Sequence, residues 1–214
     1  MMLTDYSQNK IVDAWWRGQA LSAPATRYAA LFTASKGVRA NSTAYALNDT
    51  MVVQVNGKYQ LYKCTTAGST ASAQPNTYAG ATGEAITDGT AVLTEQSVAL
   101  DAGSIAEVPT SGTGYARVSV ASSLTNWAGT QGAGSTAASS GTSGATSPNN
   151  ALTFPSPIGQ WHPTGGMVVG IMFYDAATGG NPLEYLIMSA PKNVNQGDPA
   201  PSAAAGGLVF QIGG

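Results

Sequence analysis

The chain has 214 residues, a formal net charge of −2, 43% hydrophobic residues and only 9% charged ones, with 26 Gly, 11 Pro and a single cysteine. It is long enough to bury a substantial core. Its charge content is far below the roughly 25% of an average soluble domain, so little electrostatic repulsion keeps copies apart. No run of Lys or Arg is present to displace counterions from phosphates, which excludes nucleic acid as a partner. No apolar run reaches the roughly 20 residues of a membrane span, and the lone Cys64 excludes an intramolecular disulfide.

In chain order, Leu3 to Gly18 is the only segment with helical spacing. Thr4 can cap its start and Gly18 its end, and Leu3, Tyr6, Ile11, Val12, Trp15 and Trp16 carry its large groups. A helix of about 15 residues is marginal alone. Burial of both tryptophans would contribute roughly 5–10 kcal/mol before entropy costs, against either the chain's own sheet or a neighbouring subunit. No basic segment followed by an apolar core marks a secretory signal, so synthesis in a cytoplasm is expected.

Arg27 to Thr33 reads as a strand by its Tyr, Leu and Phe. Residues 36–97 then differ in texture. Met51 to Val55, the pair Asn56-Gly57, and Lys58 to Thr65 form a strong hairpin signal. Thr87 to Thr94 adds another turn and strand. The expectation is a small three-stranded β module inserted into a main domain made of 1–35 and 98–214. Gly114 to Ala121 alternates as a strand, Trp127 follows, and 128–150 is a loop of almost only Gly, Ser, Thr and Ala. Met167 to Tyr174 and Leu183 to Met188 read as paired strands around a Gly-Asn-Pro loop, expected to form the closing edge of a sandwich.

Chemistry is sparse. His162, the one histidine, sits between Trp161 and Pro163 in a turn-like context, and nucleophile elbows, zinc motifs and paired cysteines are missing. The main carboxylates outside the helix are Asp88, Asp101, Glu107, Asp175, Glu184 and Asp198, and none falls in an alternating calcium-loop pattern. No catalytic residue, metal site or cofactor is expected, and the chain is not expected to be an enzyme.

Two resemblances carry the functional expectation. Tyr45, Tyr62, Cys64-Thr-Thr-Ala-Gly68, Pro75, Gly83 and Thr87-Asp-Gly-Thr90 resemble a small β module inserted in many phage virion proteins, with Leu93 where that pattern usually has tryptophan. Elsewhere Pro24-Ala-Thr, Ala30-Leu-Phe32, Gly114-Tyr-Ala-Arg117, Trp127, Phe154-Pro155, Trp161, Gly170 to Asp175, Gly179-Gly-Asn181 and Pro191 to Asp198 resemble tailed-phage virion proteins labelled tail-fibre-like or capsid cement. That resemblance implies an all-β, jelly-roll-like β-sandwich on the outside of a virion. Its first reading is a capsid decoration protein bound to the major capsid protein as a homo-oligomer, with Trp15 and Trp16 as interface residues and 128–150 as an arm. The alternative is a tail or head fibre whose module binds a host glycan through Tyr59, Tyr62 or Tyr78.

Overall fold

A computed structural model describes residues 2–78, 83–96, 106–132, 134–141 and 144–211. Among these residues are one helix, α1 (Asp5–Trp16), and sixteen strands. These are β1 (Met2–Leu3), β2 (Thr26–Ala34), β3 (Ala44–Tyr45), β4 (Thr50–Val55), β5 (Lys58–Thr66), β6 (Gly68–Ser69), β7 (Ala85–Asp88) and β8 (Ala91–Glu95), then β9 (Ala106–Glu107), β10 (Val118–Ala121), β11 (Ala145–Thr146), β12 (Leu152–Thr153), β13 (Met167–Tyr174), β14 (Pro182–Lys192), β15 (Ser202–Ala203) and β16 (Phe210–Gln211).

The main sheet runs β1-β14-β13-β2-β10, with β9 also on β2, and every pairing is antiparallel. The β13–β14 hairpin therefore lies inside the sheet rather than closing its edge. The physical reason is burial on both sides. Ala29 and Leu31 of β2, with Ile171 and Phe173 of β13, face one core. Ala30, Phe32 and Ala34, with Met172 and Tyr174, face another. A strand wetted on neither face reads as a continuous apolar run, as Val168 to Tyr174 does. A β-bulge between Val168 and Gly170 switches the alternation, so Val168 joins the first core and Val169 the second.

The second face is covered by a four-stranded sheet, β4-β5-β8-β7. Val52 of β4 and Leu61 of β5 pack against Met172 and Tyr185 of the main sheet, so the segment 36–97 supplies the other layer of an all-β sandwich. This sheet has four strands rather than three, because Asp88 and Ala91 pair across a turn at Gly89 and make Thr87 to Thr94 a hairpin. Asn56 (φ 50°) and Gly57 (φ 78°) both take the left-handed conformation that a two-residue hairpin demands. The outer face of this sheet buries its own cluster, including Met51, Tyr62, Cys64, Tyr78 and Leu93.

The first face of the main sheet is closed mainly by irregular chain and two short ladders, β11-β16 and β12-β15. Tyr115, Phe154 and Trp161 form an aromatic nest there, with Tyr115 edge-to-face on Trp161 at 5.2 Å. The Trp161 indole N–H donates to the Thr113 carbonyl at 2.8 Å, and Tyr115 accepts from the Leu31 N–H at 2.8 Å. Tyr115 lies outside β10 because its hydroxyl is used to bind β2 across the core.

Charges inside are paired. Arg39 makes two bonds to Asp88, 2.5 Å from Nε and 3.0 Å from Nη2, and their side chains are 3% and 0% exposed. Tyr78 Oη–H and the Ala71 N–H also donate to Asp88, at 2.7 and 2.8 Å. Arg39 further holds the carbonyls of Ala71 and Ala73. This hub draws the loops of residues 39–45 and 70–78 onto the second sheet. On the main sheet Arg117 bonds Glu107, lies 3.6 Å from the Tyr174 ring centroid and donates to the carbonyls of Ala176 and Gly179. It thereby fixes the β13–β14 loop.

Two substitutions test this architecture. A Cβ at Gly170 would fall 2.1 Å from Phe32 Cζ and 2.6 Å from the Leu186 carbonyl oxygen, so Gly170→Ala is expected to destabilise by about 2–3 kcal/mol in urea unfolding. Burial pushes the Asp88 carboxyl up, but bonds from Arg39, the Ala71 N–H and Tyr78 outweigh it and hold the group below its usual range. A depressed carboxyl contributes stability that is complete above about pH 4 and drains away as pH falls below it. Asp88→Asn strands the Arg39 guanidinium, so a loss of about 3–5 kcal/mol at pH 7 and a weaker acid dependence are expected from denaturation followed at several pH values.

Candidate functional site

The helix begins where the main sheet ends. Thr4 is 1% exposed; its hydroxyl donates to the carbonyls of Pro182 (2.5 Å) or Leu183 (2.9 Å) and accepts from the Ser7 N–H. One side chain thus caps α1 and fastens it to β14. Asp5 in the first turn suits the helix dipole. At the far end Arg17 and Gln19 donate to the Asp13 carbonyl and Gly18 takes φ 68°, stopping the helix as Gly18 led one to expect.

No residue of α1 itself is buried. At 100° per residue, Tyr6, Ser7, Lys10 and Ile11 share one face, and they line a cleft against the body. Val12, Trp15 and Trp16, spaced i, i+3, i+4, share a different face and are 46%, 66% and 72% exposed. The two indoles lean on each other at 5.7 Å and 50°. Trp15 and Trp16 therefore rest on each other and are not covered by the sheets of their own chain. Of the two covers expected for them, a surface outside this chain is the one still open.

The cleft has a volume of about 820 Å³ and runs between α1, the Leu21 to Pro24 segment and parts of residues 122–129, 136–139 and 144–146. Leu183, Phe210 and Trp127 contribute apolar wall, and Leu21 and Leu124 at its margin are more than half exposed. One polar pair is also part of the lining: Arg27 bonds Glu184 while its guanidinium stands 5.6 Å over the Trp127 ring. Burial pushes the Glu184 carboxyl up, and Arg27 works against that shift. Sequence reasoning missed this cleft; Arg27 and Glu184 are 157 residues apart, and no local pattern joins them.

The other candidates are committed elsewhere. His162 Nδ1 lies 3.0 Å from Gln160 Nε2 and 3.1 Å from the Pro163 carbonyl. Glu107 and Glu184 hold arginines, Asp175 binds Asn181, and Asp198 accepts from the Asn195 N–H. Asp101 lies outside the described residues. Among the described residues no group of three His, Cys, Asp or Glu could hold a metal ion, and no helix is long and apolar enough to cross a membrane.

Of the tyrosines available to the glycan-binding alternative, Tyr62 and Tyr78 are 0% and 5% exposed and meet edge-to-face at 5.1 Å, while Tyr59 is half-buried against the inner core. Leu93, at the position of the expected tryptophan, is interior as well. The 128–150 segment is not a free arm over its described residues. Ala128 bonds Ser147, Thr146 bonds Ala128, and Thr130 and Gln131 fold onto Ala138 and Ser140.

The molecule is thus an all-β sandwich that carries one helix with an apolar stripe in solvent. Residues 90–211 match the family described as podophage GP4 fiber I protein gp80, and the chain belongs to that family of tailed-phage virion proteins. It is a bacteriophage structural protein. No curated protein matches it.

Because both indoles are in solvent, Trp15→Ser with Trp16→Ser is expected to change stability by less than about 0.5 kcal/mol. Urea unfolding at high dilution, where subunit contacts are lost, checks this; a larger loss would mean that α1 packs on its own body.

Proposed function

We propose that this chain is a fibre-type structural subunit of a podophage particle, acting by burying neutral surface against other virion subunits, with α1 as its principal contact. The observation that carries the reading is a helix with no buried residue and two adjacent tryptophans in solvent. Monomeric proteins rarely leave such a surface uncovered. The family name supports the fibre assignment. The work done is association: specific interfaces bury about 1,600 Å², and repetition around a particle multiplies modest affinities. On this reading the chain catalyses nothing and needs no cofactor.

A second reading, a capsid decoration protein bound to the major capsid protein, is favoured by the 9% charge content, which suits close packing on a shell. The two readings share their chemistry and differ in location. Host-glycan binding through residues 36–97 finds no support in Tyr62 and Tyr78, which are buried in the outer cluster of that sheet.

Purified chain added separately to tail-less heads and to detached tails distinguishes the readings by co-sedimentation. Binding to tails or to the portal end is expected for the fibre, and binding over the whole shell for decoration. The Trp15→Ser, Trp16→Ser variant is expected to be incorporated at least tenfold less than wild type. Absence of the protein from purified virions would overturn both readings.

A further inference from the structure

From the shape of the surface around α1 we infer that the partner of Trp15 and Trp16 is the cleft beneath α1 of a second copy of this chain. The inference rests on the reading of α1 as a contact surface and names what it contacts.

One copy carries two unsatisfied apolar surfaces of opposite shape. The first is convex: Val12, Trp15 and Trp16, all on one helical stripe. The second is concave, the cleft of about 820 Å³, a size that holds bulky apolar groups. A chain cannot join the two within itself. Tyr6 and Lys10 turn toward the cleft, while Val12 and Trp16 point roughly the opposite way around the same helix; Trp15 stands next to Ile11 at the border of the two faces. Thr4 fastens the start of α1 to β14, which opposes rotation of the helix about its axis.

The chemistry of the two surfaces agrees. The walls offered by Leu21, Leu124, Trp127 and Phe210 are apolar, and an indole brings no charge that would have to be desolvated. An indole also carries one N–H donor, and Ser123 and Ser139 line the cleft with hydroxyl acceptors. Arg27 is already neutralised by Glu184, so docking would strand no ion there. Two indoles at about 200 Å² each, with the wall that encloses them, account for about 800 Å², the apolar half of an ordinary interface. Val12 and the exposed margins at Leu21 and Leu124 extend it.

Symmetry follows from placement. The stripe and the cleft are different surfaces, so two copies either exchange them reciprocally about a two-fold axis or join head to tail, adding copies until a ring closes or a filament grows.

Sedimentation velocity on the full chain over a concentration series tests this. Wild type is expected to reach a mass at least twice that of the monomer. Three variants are expected to stay monomeric: Trp15→Ser with Trp16→Ser, which removes the knob; Ala138→Trp, which fills the cleft; and Leu124→Glu, which charges its margin. Circular dichroism confirms that each is folded. The decisive arm mixes the knob-less variant with the cleft-filled one. One intact stripe and one intact cleft remain between them, so a 1:1 complex that grows no further is expected. A mixture that stays monomeric overturns the inference, as does a cleft-filled variant that assembles like wild type. Wild type that is monomeric at every concentration, yet enters virions through Trp15 and Trp16, overturns the second-copy partner and leaves the virion reading standing.

Discussion

Phe32 and Met172 turn one way from the central strands while Leu31 and Phe173 turn the other, so each face of the β2–β13 pair must be kept dry by another part of the chain. Burial of apolar area is the dominant favourable term in folding, and here one pair of strands demands it twice. The β4-β5-β8-β7 sheet answers on one side through Val52 and Leu61. On the other side no full sheet is present, and Tyr115, Phe154 and Trp161 do the covering from loops and short ladders. Those loops carry backbone polar groups that must be paired near a core. Hence the Trp161 bond to Thr113 and the Tyr115 bond to Leu31 matter as much as the area those rings bury.

The few charges are placed by the same constraint. Arg39 with Asp88 and Arg117 with Glu107 stand where loops meet sheets, and each arginine also binds loop carbonyls. A guanidinium presents five donors in a fixed fork, so one side chain can satisfy a carboxylate and pin a loop at once. Such pairs are weak evidence for stability as pairs; their effect here is to fix which way the long connections run. With so many carboxylates bonded in this way, little charge is left to govern encounters between copies.

What remains for function is the surface that the cores did not absorb. α1 is tied at Thr4 and lies along a cleft, not on a core, which leaves an apolar stripe in water and an apolar hollow beside it. Contiguous apolar surface left in water by a folded chain is the usual mark of an interaction site.

Local chemistry in the sequence determined a good deal. Asn56-Gly57 fixed the β4–β5 hairpin because few other pairs tolerate two left-handed residues in succession. Thr4 and Gly18 bounded the helix, and the apolar run through Val169 and Phe173 marked a strand. Trp15 and Trp16 stood out as residues needing a partner, although their sequence left open whether that partner was the same chain. Tertiary structure decided the rest. Periodicity states that a side chain is apolar, not which of two cores it enters, so the central place of β13 and the sandwich role of residues 36–97 were invisible until the sheets were stacked. The first strand of the β7–β8 hairpin was hidden for a related reason: the turn and the strand after it were legible, but Ala85 to Asp88 becomes a strand only by pairing with Ala91 to Thr94. The cleft depends on Arg27, Trp127 and Glu184 meeting across most of the chain's length. Contacts of that separation follow from global packing, and no spacing rule in a linear sequence encodes them.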